Sequence, residues 1–481
     1  MSSPTDISQK ESSHWSNWFT RIEFWIVFFF GMRLVGITNA PLETGHNWRQ
    51  SLTNMIARNF YELEANLLYP RVDMGGDLTG IMGSEFPLFN YLIYLVAEVF
   101  GYDHWYGRLI NLIVSSIGVW YFYKAVKLLT NKQVAFNSTL IFLTSVWFAF
   151  SRKIMPDTFS IALMLIGLYY ALLYLRNGGG KNLALFFIMA TLGMLCKIPA
   201  LSLMAVLGVI FIIKEIPVVR KRNILIAGTI GVAITSVWYF YWVPYLLETY
   251  KYQLFFPHGI WEGILAIIPV WDQFLQKFYF SGLHSFVAFG FVVWGVYWLV
   301  KKNPPVFKWG VLLVTLVFLA FIVKTGRVFS THNYYIIPFV PVLAFLAGGA
   351  LTQMKLKMQY FLLLVIGVEG IANQNHDFFV RDDQLYKLEL EAITQELIPE
   401  SSLVVINGSP SPQLMYFAHC KGWNAYNEEI NNWAVLDSIY QDGASYVIVD
   451  LHSYSNYAPK SNPIFQNEDF VIEDLEKVFQ K

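Results

Sequence analysis

Apolar residues fall in long blocks along most of this chain, with no short helical or strand period inside them. Runs long enough to cross a bilayer as a helix, roughly 17–25 residues each, sit at 22–38, 108–124, 133–151, 158–175, 183–196, 199–214, 223–246, 283–300, 309–323, 335–351 and 358–373. The pattern predicts a polytopic α-helical membrane protein with about eleven crossings. One long polar interval, 38–107, interrupts it after the first run. From Asn375 the pattern becomes that of a soluble domain. It has an amphipathic stretch at 381–397, a strand-like Leu403–Ile406, a turn at 407–410 and a second strand-like run, Ser445–Asp450. Both strands are continuous apolar runs, which predicts a parallel pair in a small α/β domain. The expected division is a membrane domain over 1–373 and an α/β domain over 374–481.

The apolar run Pro87 to Phe100 decides the orientation of everything after it. Its fourteen residues make a helix of about 21 Å, short of the roughly 30 Å hydrocarbon core. Left out of the crossings, it gathers Lys10, Arg21, Lys124, Lys127, Lys132, Arg176, Lys181, Lys214, Arg220, Lys221, Arg222, Lys301, Lys302, Lys308, Lys355 and Lys357 into short loops on one side, as cytoplasmic loops require. It is therefore expected to lie along the interface. The loop 38–107, the turns at 151–157, 196–199 and 324–333, the segment 247–282 and the C-terminus then all face outward.

Composition agrees with the blocks: 55% of 481 residues are hydrophobic and 14% charged. The 34 basic and 34 acidic residues cancel, so no global field calls for nucleic acid. With only Cys196 and Cys420 there is neither a disulfide framework nor a cysteine-rich zinc site. The polar stretch Met1 to Ser16 lacks a basic cluster, and the first apolar run lacks a cleavage site, so that run is expected to stay as a helix.

Ionisable groups at helix mouths are costly in a membrane and point to function. The outward face collects Glu43, His46, Arg49 and Glu85 in the first loop, and Asp157 at the start of the fourth run. It also collects Arg108, Arg152, Lys153, Lys197, Lys324 and Arg327, cations that break the positive-inside pattern and suggest a phosphate site. Blander readings compete. Asp157 after Pro156 could cap its helix, Glu85 could simply start one, some cations could snorkel, and Tyr334 and Tyr335 could belong to an aromatic belt. His46 could be a base, a metal ligand, or neither.

In order along roughly Ile22 to Leu351, several short motifs resemble those of the C-type membrane glycosyltransferases (GT-C), near the aminoarabinose-to-lipid A transferases and the protein O-mannosyltransferases. They are His46-Asn-Trp-Arg49-Gln50, Tyr69-Pro70-Arg71, Glu85-Phe-Pro-Leu88-Phe-Asn-Tyr91, Gly107-Arg108-Leu109, Met155-Pro-Asp157, Cys196-Lys197-Ile-Pro199 and Asn333-Tyr-Tyr335-Ile-Ile-Pro338-Phe-Val-Pro341. The resemblance implies transfer of a sugar from a polyprenyl-phosphate donor to a hydroxyl of an envelope lipid, glycan or protein on the outer face of a cell membrane. It implies catalysis by Glu43 or His46 with Asp157. It further implies phosphate binding by Arg49, Arg108, Lys197, Arg152 and Lys153, substrate contacts from Glu85, Tyr334 and Tyr335, and a divalent metal ion, if any is used, at Asp157. The family's first-loop acid is replaced by His46-Asn47, and the lysine after its glutamate by Phe86, which leaves both the base and the phosphate-holding cation open. The alternative is a transporter or flippase for a lipid-linked or anionic substrate. That would place its polar groups near the bilayer midplane, in paired broken helices, and no paired halves are evident here.

Overall fold

A computed structural model describes residues 18–252 and 259–479, so Lys10, the N-terminal polar stretch and part of 247–282 lie outside the described residues. The chain forms two compact units, one of 18–37, 108–237 and 259–378, the other of 38–107, 238–252 and 379–479.

The first unit is helical throughout, and each apolar run it contains holds helix. Among the described residues, five helices are long and apolar enough to cross a membrane: Tyr106–Leu129, Pro156–Asn177, Val218–Tyr250, Pro305–Thr325 and Asn333–Leu351. Two bent pairs raise this to as many as seven, one of them Ile260–Ser281 with Phe286–Lys302, bent by 92°. This is an integral membrane protein. The run at 133–151 is broken after Lys132–Thr144. The run at 199–214 is irregular, with 3-10 turns at Ile198–Ala200 and Ala205–Phe211 around one α-turn. Small residues let helices approach closely where no hydrophobic effect drives them together. A Cβ on Gly118 would meet Ala162 Cβ at 2.5 Å, and one on Gly348 would meet Ser138 Oγ at 2.3 Å.

In the second unit, the stretch expected to be loop contains a 16-residue helix, Asn47–Glu62. Leu52, Met55, Ile56 and Phe60 form its apolar stripe at helical spacing, and every residue from Arg49 to Phe60 is buried. The run after Pro87 forms the 13-residue helix Leu88–Phe100, too short to cross. Asn90 Nδ2 ties it to Thr53 O of the first helix at 2.8 Å. Residues 70–82 fold back on themselves through Val72 N to Gly80 O at 2.9 Å and Met82 N to Pro70 O at 3.0 Å. Gly80, at φ 74°, is required because a Cβ there would sit 2.0 Å from Val72 O.

The C-terminal sheet has five strands, β1 (Leu403–Ile406), β2 (Lys421–Asn424), β3 (Ala444–Asp450), β4 (Phe465–Gln466) and β5 (Phe470–Asp474), in the order β2-β1-β3-β5-β4. β1 runs parallel to β2 and β3, with Val405 opposite Val447. β5 is antiparallel to β3 and β4, so the sheet is mixed. A simple cut at 373/374 does not describe these units, because the first loop shares a core with the C-terminal domain. Leu42, Leu52, Met55 and Phe60 join Leu390, Val404, Met415 and Phe417 in one apolar cluster.

Polar clamps fasten the same junction. Arg58 donates to Asp73 Oδ2 at 3.1 Å and to Tyr416 O at 3.0 Å, with its guanidinium over the Tyr416 ring. His419 bridges Glu391 at 2.6 Å and Glu62 at 2.9 Å. Those two carboxylates, Glu391 foremost, raise the imidazole to about 9, and Glu391 is lowered by the same hydrogen bond. A raised histidine stabilises the fold fully below its ordinary value of 6.5 and loses that contribution as pH rises through about 9. The Tm advantage of the wild-type chain over His419→Gln should therefore be largest near about pH 6 and vanish by about pH 10. A pH-independent difference in a thermal-denaturation series would refute the ionic clamp.

Candidate active site

The turn before Pro156–Asn177 is held by one amide. Asn111 Nδ2 donates to Lys153 O at 2.8 Å, Met155 O at 3.2 Å and Phe150 O at 3.3 Å, and Asn111 Oδ1 accepts from Thr158 and Ser115 at 3.0 and 2.8 Å. Asp157 therefore starts its helix from a fixed backbone. It does not cap that helix, since the N-cap is Met155 with no side-chain bond. Its carboxylate is buried, with Oδ1 3.7 Å from Lys197 Nζ, and Oδ2 has no hydrogen-bond partner among the described residues. A buried carboxylate oxygen left in this state is costly.

Lys197 follows the helix Gly180–Cys196 in extended backbone, where the helix ends and Pro199 turns the chain. Its ammonium is an ion-pair distance from Asp157 and 5.8 Å from the centroid of the Tyr334 ring. Tyr334 is buried and stacks on Tyr335 at 4.6 Å, and the His332 ring sits 5.3 Å from Tyr334. Lys277, also buried, donates to Asn333 Oδ1 at 2.6 Å. The structure thus brings Asp157, Lys197 and Tyr334 near one another, joined by His332, Asn333 and Lys277. Lys277 lay within an apolar stretch with no motif around it, and only its charge there signalled a role.

The other cations have different surroundings. Lys153 is buried in an ion pair with Asp377 at 3.0 Å. Arg152 is buried with its guanidinium 4.4 Å from the Phe378 ring centroid. Arg108 is fully buried in Tyr106–Leu129, whereas Lys324 and Arg327 are exposed. Asp377 was not singled out in the sequence because it lies 224 positions from Lys153.

In the second unit Glu43 is wholly buried and accepts from Gln50 Nε2 at 3.2 Å. His46 is the N-cap of Asn47–Glu62 in the left-handed region, φ 59°, without a side-chain cap bond; its carbonyl accepts from Arg49 N and Gln50 N. Arg49 forms an ion pair with Glu85. Glu85 precedes the N-cap Pro87 and is held in place by its neighbours, with Ser84 O accepting from Trp238 Nε1 at 2.9 Å and Phe86 edge-on to the Trp238 ring at 4.9 Å.

A divalent ion at Asp157 does not fit these residues. The carboxylate already faces an ammonium, and among the described residues no group of three or more His, Cys, Asp or Glu could hold a metal ion.

The family model described as dolichyl-phosphate-mannose-protein mannosyltransferase matches residues 84–242. Among solved structures, the chain is similar to ArnT from Cupriavidus metallidurans bound to undecaprenyl phosphate, at TM-score 0.63 and 12% identity, covering 93% of this chain and 97% of that one. It is similar to the oligosaccharyltransferase of Archaeoglobus fulgidus in complex with Zn and sulfate, at 0.61 and 11%, covering 89% and 68%. It is also similar to the arabinofuranosyltransferase AftD from Mycobacteria, at 0.55 and 11%, covering 93% of this chain and 39% of AftD. No curated relative matches by sequence. The fold is GT-C.

Because Arg49 and Glu85 pair in a largely buried setting, removing one partner strands the other charge at a cost of about 3–5 kcal/mol, while an apolar pair of similar size is far better tolerated. Arg49→Met and Glu85→Met should each lower Tm, and the double variant should recover most of the loss. Additive losses in that thermal cycle would show that the pair does not support the fold.

Proposed function

We propose that this chain is a glycosyltransferase that moves a sugar from a polyprenyl-phosphate donor to a hydroxyl of an envelope lipid, glycan or protein. The fold it shares supports this reading, since the structures of that fold include one bound to undecaprenyl phosphate and one in complex with an inhibitory peptide and a dolichol-phosphate. The mannosyltransferase family model over 84–242 supports it too. The observation that carries it is the Asp157 carboxylate, buried beside Lys197 and Tyr334 with one oxygen unbonded among the described residues.

The chemistry follows from those groups. The acceptor oxygen attacks the anomeric carbon as the bond to the phosphate oxygen breaks, through an oxocarbenium-like state. The polyprenyl phosphate leaves with the bonding pair, so the leaving group needs a fixed positive charge more than a proton. Lys197 supplies it, preorganised by Asp157 and the Tyr334 ring. Glu43, or His46 in its place, takes the acceptor proton. Lys153 and Arg49 are each already in an ion pair within their own unit. The positive-inside pattern supports a cytoplasmic placement of the sixteen loop cations, and the reaction is assigned to the outer face of the inner or plasma membrane, with the C-terminal domain on the same side.

Two experiments test this. In a Cys420→Ser background, cysteines at Asn131 and Asn177 should resist an impermeant thiol reagent in intact cells, whereas those at Ala65 and Ser401 should react; labelling of the first pair reverses the topology. Purified protein given a panel of labelled polyprenyl-phosphate sugars and envelope fractions should transfer one of them. Asp157 makes no cap bond, so Asp157→Asn should lower Tm only through the loss of its pairing with Lys197, and the folded variant should lose about 10²–10⁴ in rate. Glu43→Gln should be comparably slow if Glu43 is the base, with His46→Ala mild. Near-wild-type transfer by all three variants would remove these residues from the reaction.

A further inference from the structure

The first unit contains a cavity of about 620 Å³ that takes no part in the chemistry above. Its walls come from the far half of Pro156–Asn177, the end of Tyr106–Leu129, the irregular run at 203–217 and the starts of Pro305–Thr325 and Val340–Leu351. Every lining side chain is apolar except Arg176, Glu215 and Arg220. These three cluster where Pro156–Asn177 finishes and Val218–Val237 begins, and Arg220 Nη1 donates to Leu175 O at 3.2 Å and Arg176 O at 2.7 Å. From Leu165 to Arg176 the cavity follows its helix for about 16 Å.

The cavity is open on one side, and its apolar walls offer water no partners. A hydrocarbon chain suits it, and the volume lies within the roughly 300–1,000 Å³ that bind small molecules. The charged end sets the rest of the ligand. Two guanidinium groups face one carboxylate there, and Lys214, Lys221 and Arg222 lie in the same connection, an arrangement that favours an anionic headgroup. A donor phosphate at Lys197 would lie at the other end of the helix, since Asp157 is about 28 Å from Arg176 along it. One molecule's phosphate cannot serve both ends.

We propose that this cavity binds one chain of an anionic phospholipid, with its phosphate at Arg176 and Arg220. The lipid also bears on the reaction. The 3-10 helix Ala205–Phe211 is one wall, and the run that leads into it starts at Lys197. A seven-residue 3-10 run is unusually long and therefore poorly self-supporting, so the lipid chain steadies the segment that carries the lysine.

The test uses full-length protein, stripped of lipid by prolonged detergent washing and titrated with dioleoylphosphatidylglycerol or dioleoylphosphatidylcholine under native mass spectrometry. A single phosphatidylglycerol should bind about tenfold more tightly than phosphatidylcholine. Val311→Trp, which fills the cavity, should abolish that site, and Ala125→Phe on another wall should do the same, which guards against misfolding of either one. Arg176→Gln should bring the two lipids to near parity; Arg220 is kept because it caps a helix. Because the readout is lipid retention, an inactive protein that binds phosphatidylglycerol upholds this site while failing the transfer reading. Equal retention of both lipids, binding unchanged by both filling variants, or polyprenyl phosphate displaced by those variants in place of phospholipid would each overturn it.

Discussion

A charge removed from water has to find an opposite charge, a fixed dipole or an aromatic face, and both units of this chain are arranged around that requirement. In the first unit, Lys153 is neutralised by Asp377, Arg152 lies on the ring of Phe378, and Arg33 is held by the Phe29 carbonyl and the Ser151 hydroxyl. In the second, Arg58 is matched by Asp73 and Arg49 by Glu85. Breaking such a pair from one side costs far more than the pair contributes. The same requirement sorts the cations by task. Lys153 lies 3.0 Å from the buried carboxylate of Asp377, and Lys197 lies 3.7 Å from Asp157, whose other oxygen has no hydrogen-bond partner among the described residues.

Much of this architecture was legible in the sequence, because a membrane forces apolar residues into contiguous blocks and helix is the only backbone state those blocks can adopt in lipid. The blocks located the helices, and the ordered motifs located Asp157, Lys197 and Tyr334. Other features were hidden for physical reasons. The helix Asn47–Glu62 is rich in polar residues, and only the spacing of Leu52, Met55, Ile56 and Phe60 betrays it. Strands β2 and β4, of four and two residues, carry too few side chains for any period to register. The broken run at 198–211 reads as uninterrupted apolar sequence, because a 3-10 turn and an α-turn take the same residues.

Ion-pair partners were the least legible of all. His419 meets Glu62 across 357 positions and Lys153 meets Asp377 across 224, distances over which no local pattern operates. This is also why the first loop, which by composition is merely polar, turns out to share its core with the C-terminal domain. The loop supplies Leu42, Leu52, Met55, Phe60 and the Glu62 carboxylate, and the domain supplies the facing apolar residues and His419.

The substitution of His46-Asn47 for the acid that the resemblance expects finds an account in local geometry. His46 occupies the N-cap in the left-handed region, a conformation that Asn, Asp and His tolerate better than other side chains. Its backbone there is committed to opening the helix, with its carbonyl accepting from Arg49 and Gln50. Glu43, three positions earlier, is wholly buried and is met by Gln50 from the first turn of that helix. Gln50 thus joins that buried carboxylate to the first turn of the helix that His46 opens.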